Sequence, residues 1–248
     1  MTLLRKILNF YIQSSIHVGI AVFCLVQLSV SQWSSYSLLV LFGTIVGYNF
    51  LKYFEWFVSG KYLQSKFVGV IILTVLAALA FGWFFFEQEV TIQMHLLIAL
   101  GFVFLYPFAR KIGWLKPFYV SVVVSFVTVY IPLKGSSDAG WIFLHRFFLL
   151  ASVMIPFEIV DSTTDSVSLK TLPQWFGIVR TKQIGYVLVV LFCIFSNYTP
   201  YNFYFSTVIG VSSVAAIYFS SEKKSWYYTS FWVESLPIVW WLLLMVLQ

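Results

Sequence analysis

The stretch PFEIVDSTTDSVSLKTLPQWFG, residues 156–177, places Glu158, Asp161 and Asp165 within eight positions. Charged residues make up 10% of the chain, so three acids this close together are not background. Their spacing is i, i+3, i+7, which on a helix of about 3.6 residues per turn puts all three carboxylates on one face. Carboxylates sharing a stripe repel one another unless a cation sits between them. Hard oxygen ligands of this kind suit Mg²⁺, which takes one or two carboxylates together with substrate phosphates and water. A solvated loop with no ligand is the alternative that spacing alone leaves open.

The elements that must position these acids are apolar. The 248-residue chain is 60% hydrophobic and 21% aromatic, with a mean hydropathy of +0.90. A soluble domain would carry about 25% charged residues, so too little polar surface exists to cover a water-soluble globule. The composition implies an integral membrane protein. Arg5 and Lys6 precede an apolar stretch, but Gln13, Ser14, Ser15 and His17 interrupt it and no small-residue cleavage site follows, so no cleavable export signal is expected. Cys24 and Cys193 lie inside apolar runs and form no metal or redox pattern.

Runs long enough to cross a bilayer as helices need roughly 17–25 mostly apolar residues. The chain offers about nine, near 9–30, 36–57, 67–86, 92–109, 117–133, 139–159, 183–198, 202–219 and 228–246. They do not alternate as barrel strands must. The expected fold is therefore all-α, a polytopic transmembrane helix bundle forming a single domain over residues 1–248, with residues 160–182 as its one long connection. The net charge of +6 is explained by topology, without a nucleic-acid partner. With the N-terminus in the cytoplasm, Arg5, Lys6, Lys61, Lys66, Arg110, Lys111, Lys116, Lys170, Arg180, Lys182, Lys223 and Lys224 all fall inside, and Lys52 lies near the inner end of the second span. The outer loops receive only Lys134 beside Glu87, Glu89 and Asp138, the asymmetry the positive-inside rule demands. The acidic stretch opens on the cytoplasmic side in this orientation, in what would be a bacterial inner membrane.

The run E-I-V-D-S-T-T-D, followed by K-T-L-P and a glycine, resembles the second aspartate motif of the UbiA superfamily of membrane prenyltransferases. That motif reads D-x-x-D-x-x-x-D, then Lys/Arg-Thr-Leu/Ile-Pro, then Gly four residues on. Glu158, Asp161, Asp165, Lys170, Thr171, Leu172, Pro173 and Gly177 occupy those places, with Glu in place of the first Asp. LYPFARKIGWLKP, residues 105–117, is similar to the family's Tyr-x-x-x-Lys/Arg-Lys/Arg segment and supplies Tyr106, Arg110 and Lys111. The family's first motif, N-D-x-x-D-x-x-x-D, falls on GTIVGYNFLKYFEW. There Asn49 is kept, but Phe50, Tyr53 and Phe57 stand where three aspartates would.

The resemblance implies a nine-helix bundle with its catalytic loops on the cytoplasmic side. It also implies Mg²⁺ held by Glu158, Asp161 and Asp165, and a diphosphate held by Arg110, Lys111 and Lys170. Lys52 is the candidate replacement for the missing half of the metal cage, Asn49 would orient the diphosphate, and Tyr106 would sit near the reacting carbon. The implied activity is transfer of a prenyl group from a polyprenyl diphosphate to a membrane-associated, aromatic acceptor. Loss of the first motif points to a rival: a degenerate relative that catalyses nothing and serves as a lipid-binding or assembly partner in a membrane complex. A small transporter is a weaker third reading, because no pair of broken helices recurs in two halves.

His145 and Arg146 sit within the sixth span. A mid-span Arg costs at least about 2.5 kcal/mol, so an interior salt bridge to Glu234 or Glu55, or snorkelling outward, is expected, with a diphosphate or carboxylate ligand as the functional alternative. Glu234, the acid of the last span, reads as a structural polar contact, and His17 and His95 as isolated histidines. Aromatic clusters such as residues 226–232 suit an interfacial girdle better than a prenyl tunnel.

Overall fold

The computed structural model describes residues 3–30, 32–58, 68–201 and 203–247. Lys61 and Lys66 lie outside the described residues, as do the side chains of Glu55 and Phe57. The described residues form helices and turns, with no strand among them. In chain order the helices are α1 (Leu3–Gln13), α2 (Ile16–Gln27), α3 (Ser35–Val58), α4 (Val68–Phe86) and α5 (Val90–Ala109), then α6 (Lys116–Ser125), α7 (Ala139–Asp161), α8 (Leu172–Ser196), α9 (Phe203–Phe219) and α10 (Leu236–Leu247). A 3₁₀ turn at Gly113–Leu115 leads into α6, and π-turns extend α6 over Phe126–Tyr130 and precede α10 over Tyr228–Val233.

Among the described residues, six helices are long and apolar enough to cross a membrane, or seven if the bent pair α1–α2 is one span. Their outward faces say what surrounds them. Leu79, Trp83, Phe86, Val90 and Phe108 are all more than half exposed, an apolar surface too continuous for water. The chain is an integral membrane protein.

α7 is the hub. It packs against α6, α8 and α9, and Leu149, Ala151, Ile155 and Ile159 are fully buried along it. Lipid supplies no hydrophobic drive between helices, so close backbone approach must hold them together. Gly185 of α8 is one such place: a Cβ there would meet Ile217 Cδ1 at 2.9 Å and Ile155 Cγ2 at 3.2 Å.

Three departures from the sequence reading have physical causes. The first run is not one straight helix. It bends by 55° between α1 and α2, where Ser15 takes a left-handed φ of 61°. The Gln13–Ser14–Ser15 step frees carbonyls that α3 then satisfies. The stretch 160–182 is not one long loop either, because α8 begins at Leu172, with Pro173 in its first turn where a missing N–H is harmless. Finally, Arg146 does not pair with Glu234. Its Nη1 donates to the Leu25 carbonyl at 2.6 Å and its Nη2 to the Tyr201 hydroxyl at 3.3 Å, with the guanidinium 5.5 Å from the centre of the Trp240 ring. Leu25 is in the last turn of α2, where carbonyls lack helical donors and the helix end is negative. Arg146 thus caps α2 from α7.

Replacing Gly185 by Val should overpack the α7–α8–α9 contact and cost about 1–3 kcal/mol. Thermal unfolding in detergent should show a lower Tm for Gly185→Val, while Gly101→Ala, where a Cβ meets nothing within 4 Å, should unfold as the parent does.

Candidate functional site

The site is built where the ends of α5 and α7 meet the starts of α6 and α8. After α5 the chain turns through Arg110–Ile112, and the 3₁₀ turn delivers Lys116 as the first residue of α6. Gly113 makes this possible by lying against the Lys170 loop: a Cβ at 113 would run into the Leu169 carbonyl oxygen and come within 2.9 Å of the Thr171 nitrogen. Both are backbone atoms with nowhere to move.

From the other side, α7 carries Glu158 and ends at Asp161. The three acids therefore do not share one helical stripe. Asp165 lies beyond the helix, in a turn where the Thr164 and Asp165 amides donate to the Asp161 carbonyl at 2.9 and 2.8 Å. Gln174 of α8 holds that turn. Its Oε1 accepts from the Thr171 amide at 3.1 Å, and its Nε2 donates to the Asp165 and Ser166 carbonyls at 3.2 and 3.3 Å. The K-T-L-P segment is thus the start of a helix, with Thr171 in the capping position.

Lys116 sits between the acids. Its Nζ is 3.0 Å from Glu158 Oε1 and 3.8 Å from Asp165 Oδ2, with the Lys116 side chain 11% exposed, Asp165 9% and Glu158 0%. Arg110 Nη2 approaches Asp165 Oδ1 at 3.9 Å from the exposed side. Asp161 is in electrostatic reach of Lys116, Asp165 and Arg110, and Tyr106 of Lys116, Arg110, Glu158 and Asp165. Tyr106, Arg110, Glu158, Asp161 and Asp165 are therefore gathered at one end of the bundle. Lys111 and Lys170 are exposed there: Lys111 lies over the Phe108 ring, and Lys170 has a left-handed φ of 52°. Trp114 and Trp175, whose rings are 6.4 Å apart, are also exposed at this end, the mouth of the site.

Asn49 and Lys52 are not in this group. Asn49 Nδ2 donates to the Ser14 carbonyl at 3.0 Å and to Thr74 Oγ1 at 2.8 Å, while its Oδ1 accepts from Ser15 Oγ at 2.7 Å. Lys52 Nζ donates to the Ile12 and Gln13 carbonyls at 3.4 and 3.3 Å, and Tyr53 Oη donates to the Gln13 carbonyl at 2.8 Å. These side chains hold the bend between α1 and α2. His17 helps: its Nε2 lies 3.0 Å from the Phe231 carbonyl, which can only accept, so Nε2 carries the proton and Nδ1 accepts from the Tyr11 hydroxyl at 2.9 Å. Glu234 adjoins the break, in electrostatic reach of Lys52, Tyr11 and Tyr48. Tyr48 is also in reach of Tyr106, so the two polar groups adjoin across it.

With Lys116 in place, the acids do not fit Mg²⁺. Among the described residues no group of three His, Cys, Asp or Glu side chains is gathered as a metal cage. The position between Glu158 and Asp165 already holds an ammonium. A divalent ion and the ammonium would repel at such range, so an ion could bridge the two acids only by displacing Lys116. The sequence places Lys116 only among the inner-side charges; its entry into the bundle depends on the close approach at Gly113, which sequence order does not reveal. Comparison of the chain with protein-family models, curated proteins and solved structures finds no match.

Gly113→Ala should force the 113–115 turn away from residues 169–171 and carry Lys116 away from Asp165. The expected loss is about 1–3 kcal/mol, read as a lower Tm in detergent, with Gly101→Ala as the neutral control.

Proposed function

We propose that this chain is a UbiA-like membrane protein that binds a polyprenyl diphosphate or related isoprenoid lipid without turning it over, as a lipid-binding or assembly subunit of a membrane complex. The reading includes nine spans, counting α1–α2 as one broken span. It also places the N-terminus in the cytoplasm of a bacterial inner membrane. Its main support is the meeting of Arg110 with Asp165 and of Lys116 with Glu158, from segments that are far apart in sequence and both resemble the family's site. Arg110, Lys111 and Lys170, exposed at the mouth, would take the diphosphate, and the apolar bundle would take the chain.

Tyr53, in one of the aspartate places of the first metal cage, is engaged with the Gln13 carbonyl, and Asn49 and Lys52 beside it serve the same bend, which favours binding over chemistry. Prenyl transfer to an aromatic acceptor is the second reading. It is favoured by Tyr106, which is held among the charged groups where a reacting carbon would lie.

Purified protein should bind farnesyl diphosphate, and the Arg110→Ala/Lys111→Ala double variant should bind it about tenfold more weakly, a loss of about 1.4 kcal/mol. Product formation from farnesyl diphosphate and aromatic acceptors would overturn the non-catalytic reading, and absence of binding would overturn the family reading. For topology, in a background lacking Cys24 and Cys193, cysteine at Lys223 should be labelled only from the cytoplasm and cysteine at Glu89 only from outside. The reverse pattern would overturn the orientation.

A further inference from the structure

We propose that Lys116 is a resident cation that closes the acidic site to divalent metal ions, so that whatever the site binds is bound without one. Three observations carry this. The ammonium lies within ion-pair distance of both Glu158 and Asp165, the two acids that a metal would have to bridge. Those acids are enclosed together with the ammonium, Glu158 completely, so a divalent ion could reach them only by taking the place of the Lys116 charge. Lys116 itself is nearly buried at the rigid start of α6, directly before Pro117, so swinging aside would leave its charge unpaired inside the bundle.

The acids themselves remain oxygen donors of the right kind. Glu158 Oε2 and Asp165 Oδ2 are buried without a hydrogen-bond partner. Removing the lysine should therefore uncover a latent metal site. Loss of Lys116 should create a divalent-ion dependence where the parent has none, which is the reverse of what a diphosphate-contacting lysine in a metal enzyme would show.

The test needs no knowledge of the ligand. Mn²⁺ added to the full-length protein in detergent is followed by its electron paramagnetic resonance signal, and Tm is measured with and without Mg²⁺. The parent should leave the free-ion signal intact and show no Mg²⁺-dependent change in Tm. Lys116→Met should be less stable, should quench the signal, and should regain Tm with Mg²⁺. Adding Glu158→Gln to Lys116→Met should abolish the quenching, and Lys116→Arg should behave as the parent. Where Lys116→Met does not fold, Lys116→Gln replaces it. Mn²⁺ binding by the parent that Glu158→Gln removes would overturn the proposal, and so would absence of binding in a folded Lys116→Met or Lys116→Gln.

A second arm rests on the isoprenoid reading above. The parent should bind farnesyl thiodiphosphate in EDTA within about twofold of its affinity in Mg²⁺. Binding only with Mg²⁺ would overturn the inference and leave the isoprenoid reading standing. Binding in neither condition would overturn that reading, and the Mn²⁺ result would then judge the metal closure by itself.

Discussion

The ion pair of Lys116 with Glu158 and Asp165 sets the geometry of one end of this bundle. Two carboxylates cannot both stay charged side by side in a low-dielectric interior without a cation between them, and a lysine cannot be buried there without an acid. Each element around the site serves that pairing. Gly113 lets the turn before α6 press on the backbone after Leu169, and Gln174 holds the turn that carries Asp165 back over α7. Breaking such a pair by removing one partner commonly costs about 3–5 kcal/mol, more than its net contribution when intact. The pair therefore acts more as a constraint on register than as a source of stability.

A second constraint comes from the membrane itself. In hydrocarbon every backbone polar group needs a partner, so a break in a spanning helix is tolerated only where neighbours satisfy it. The end of α1 presents the Ile12, Gln13 and Ser14 carbonyls, the negative end of a half-helix. Donors and cations belong there, and α3 supplies Asn49, Lys52 and Tyr53. Carboxylates in their place would face carbonyl oxygens at close range. Of the three aspartate places of the motif, only that of Tyr53 is among these donors, and there a hydroxyl donates to the Gln13 carbonyl as a carboxylate could not.

This explains what could be read in advance and what could not. The apolar runs of α4 and α5 were legible because lipid exposure leaves no polar face to blur them. The polar run from Gln13 to Ser15 was visible, but it was read only against an export signal, since a helix break depends on donors from α3 that sequence order does not reveal. The acids were found, but their common stripe was not, because α7 stops at Asp161 and the turn that returns Asp165 is held by Gln174 from the next helix. Lys116 was counted as a topology charge because positive-inside reasoning weighs lysines by side of the membrane and not by direction. Its entry into the bundle follows from the close approach at Gly113, a contact between backbones about 56 positions apart that no local pattern encodes.

The distribution of charge bears directly on what the site can do. Ionising an allylic diphosphate needs cations free to stabilise charge as it develops on the leaving group, held in a place where water does not screen them. The enclosed cation here, Lys116, is committed to Glu158 and Asp165. The others, Arg110, which meets Asp165 at 3.9 Å, and Lys111 and Lys170, are exposed at the mouth, where salt screens a charge within about 8–10 Å. Lys52 is committed as well, to the carbonyls of the broken span. An anionic headgroup can be attracted to such a mouth and oriented by it, yet the interior keeps no uncommitted positive charge among the residues that the resemblance nominates. On the proposed reading that division of labour is the physical difference between a protein that holds a prenyl diphosphate and one that breaks it.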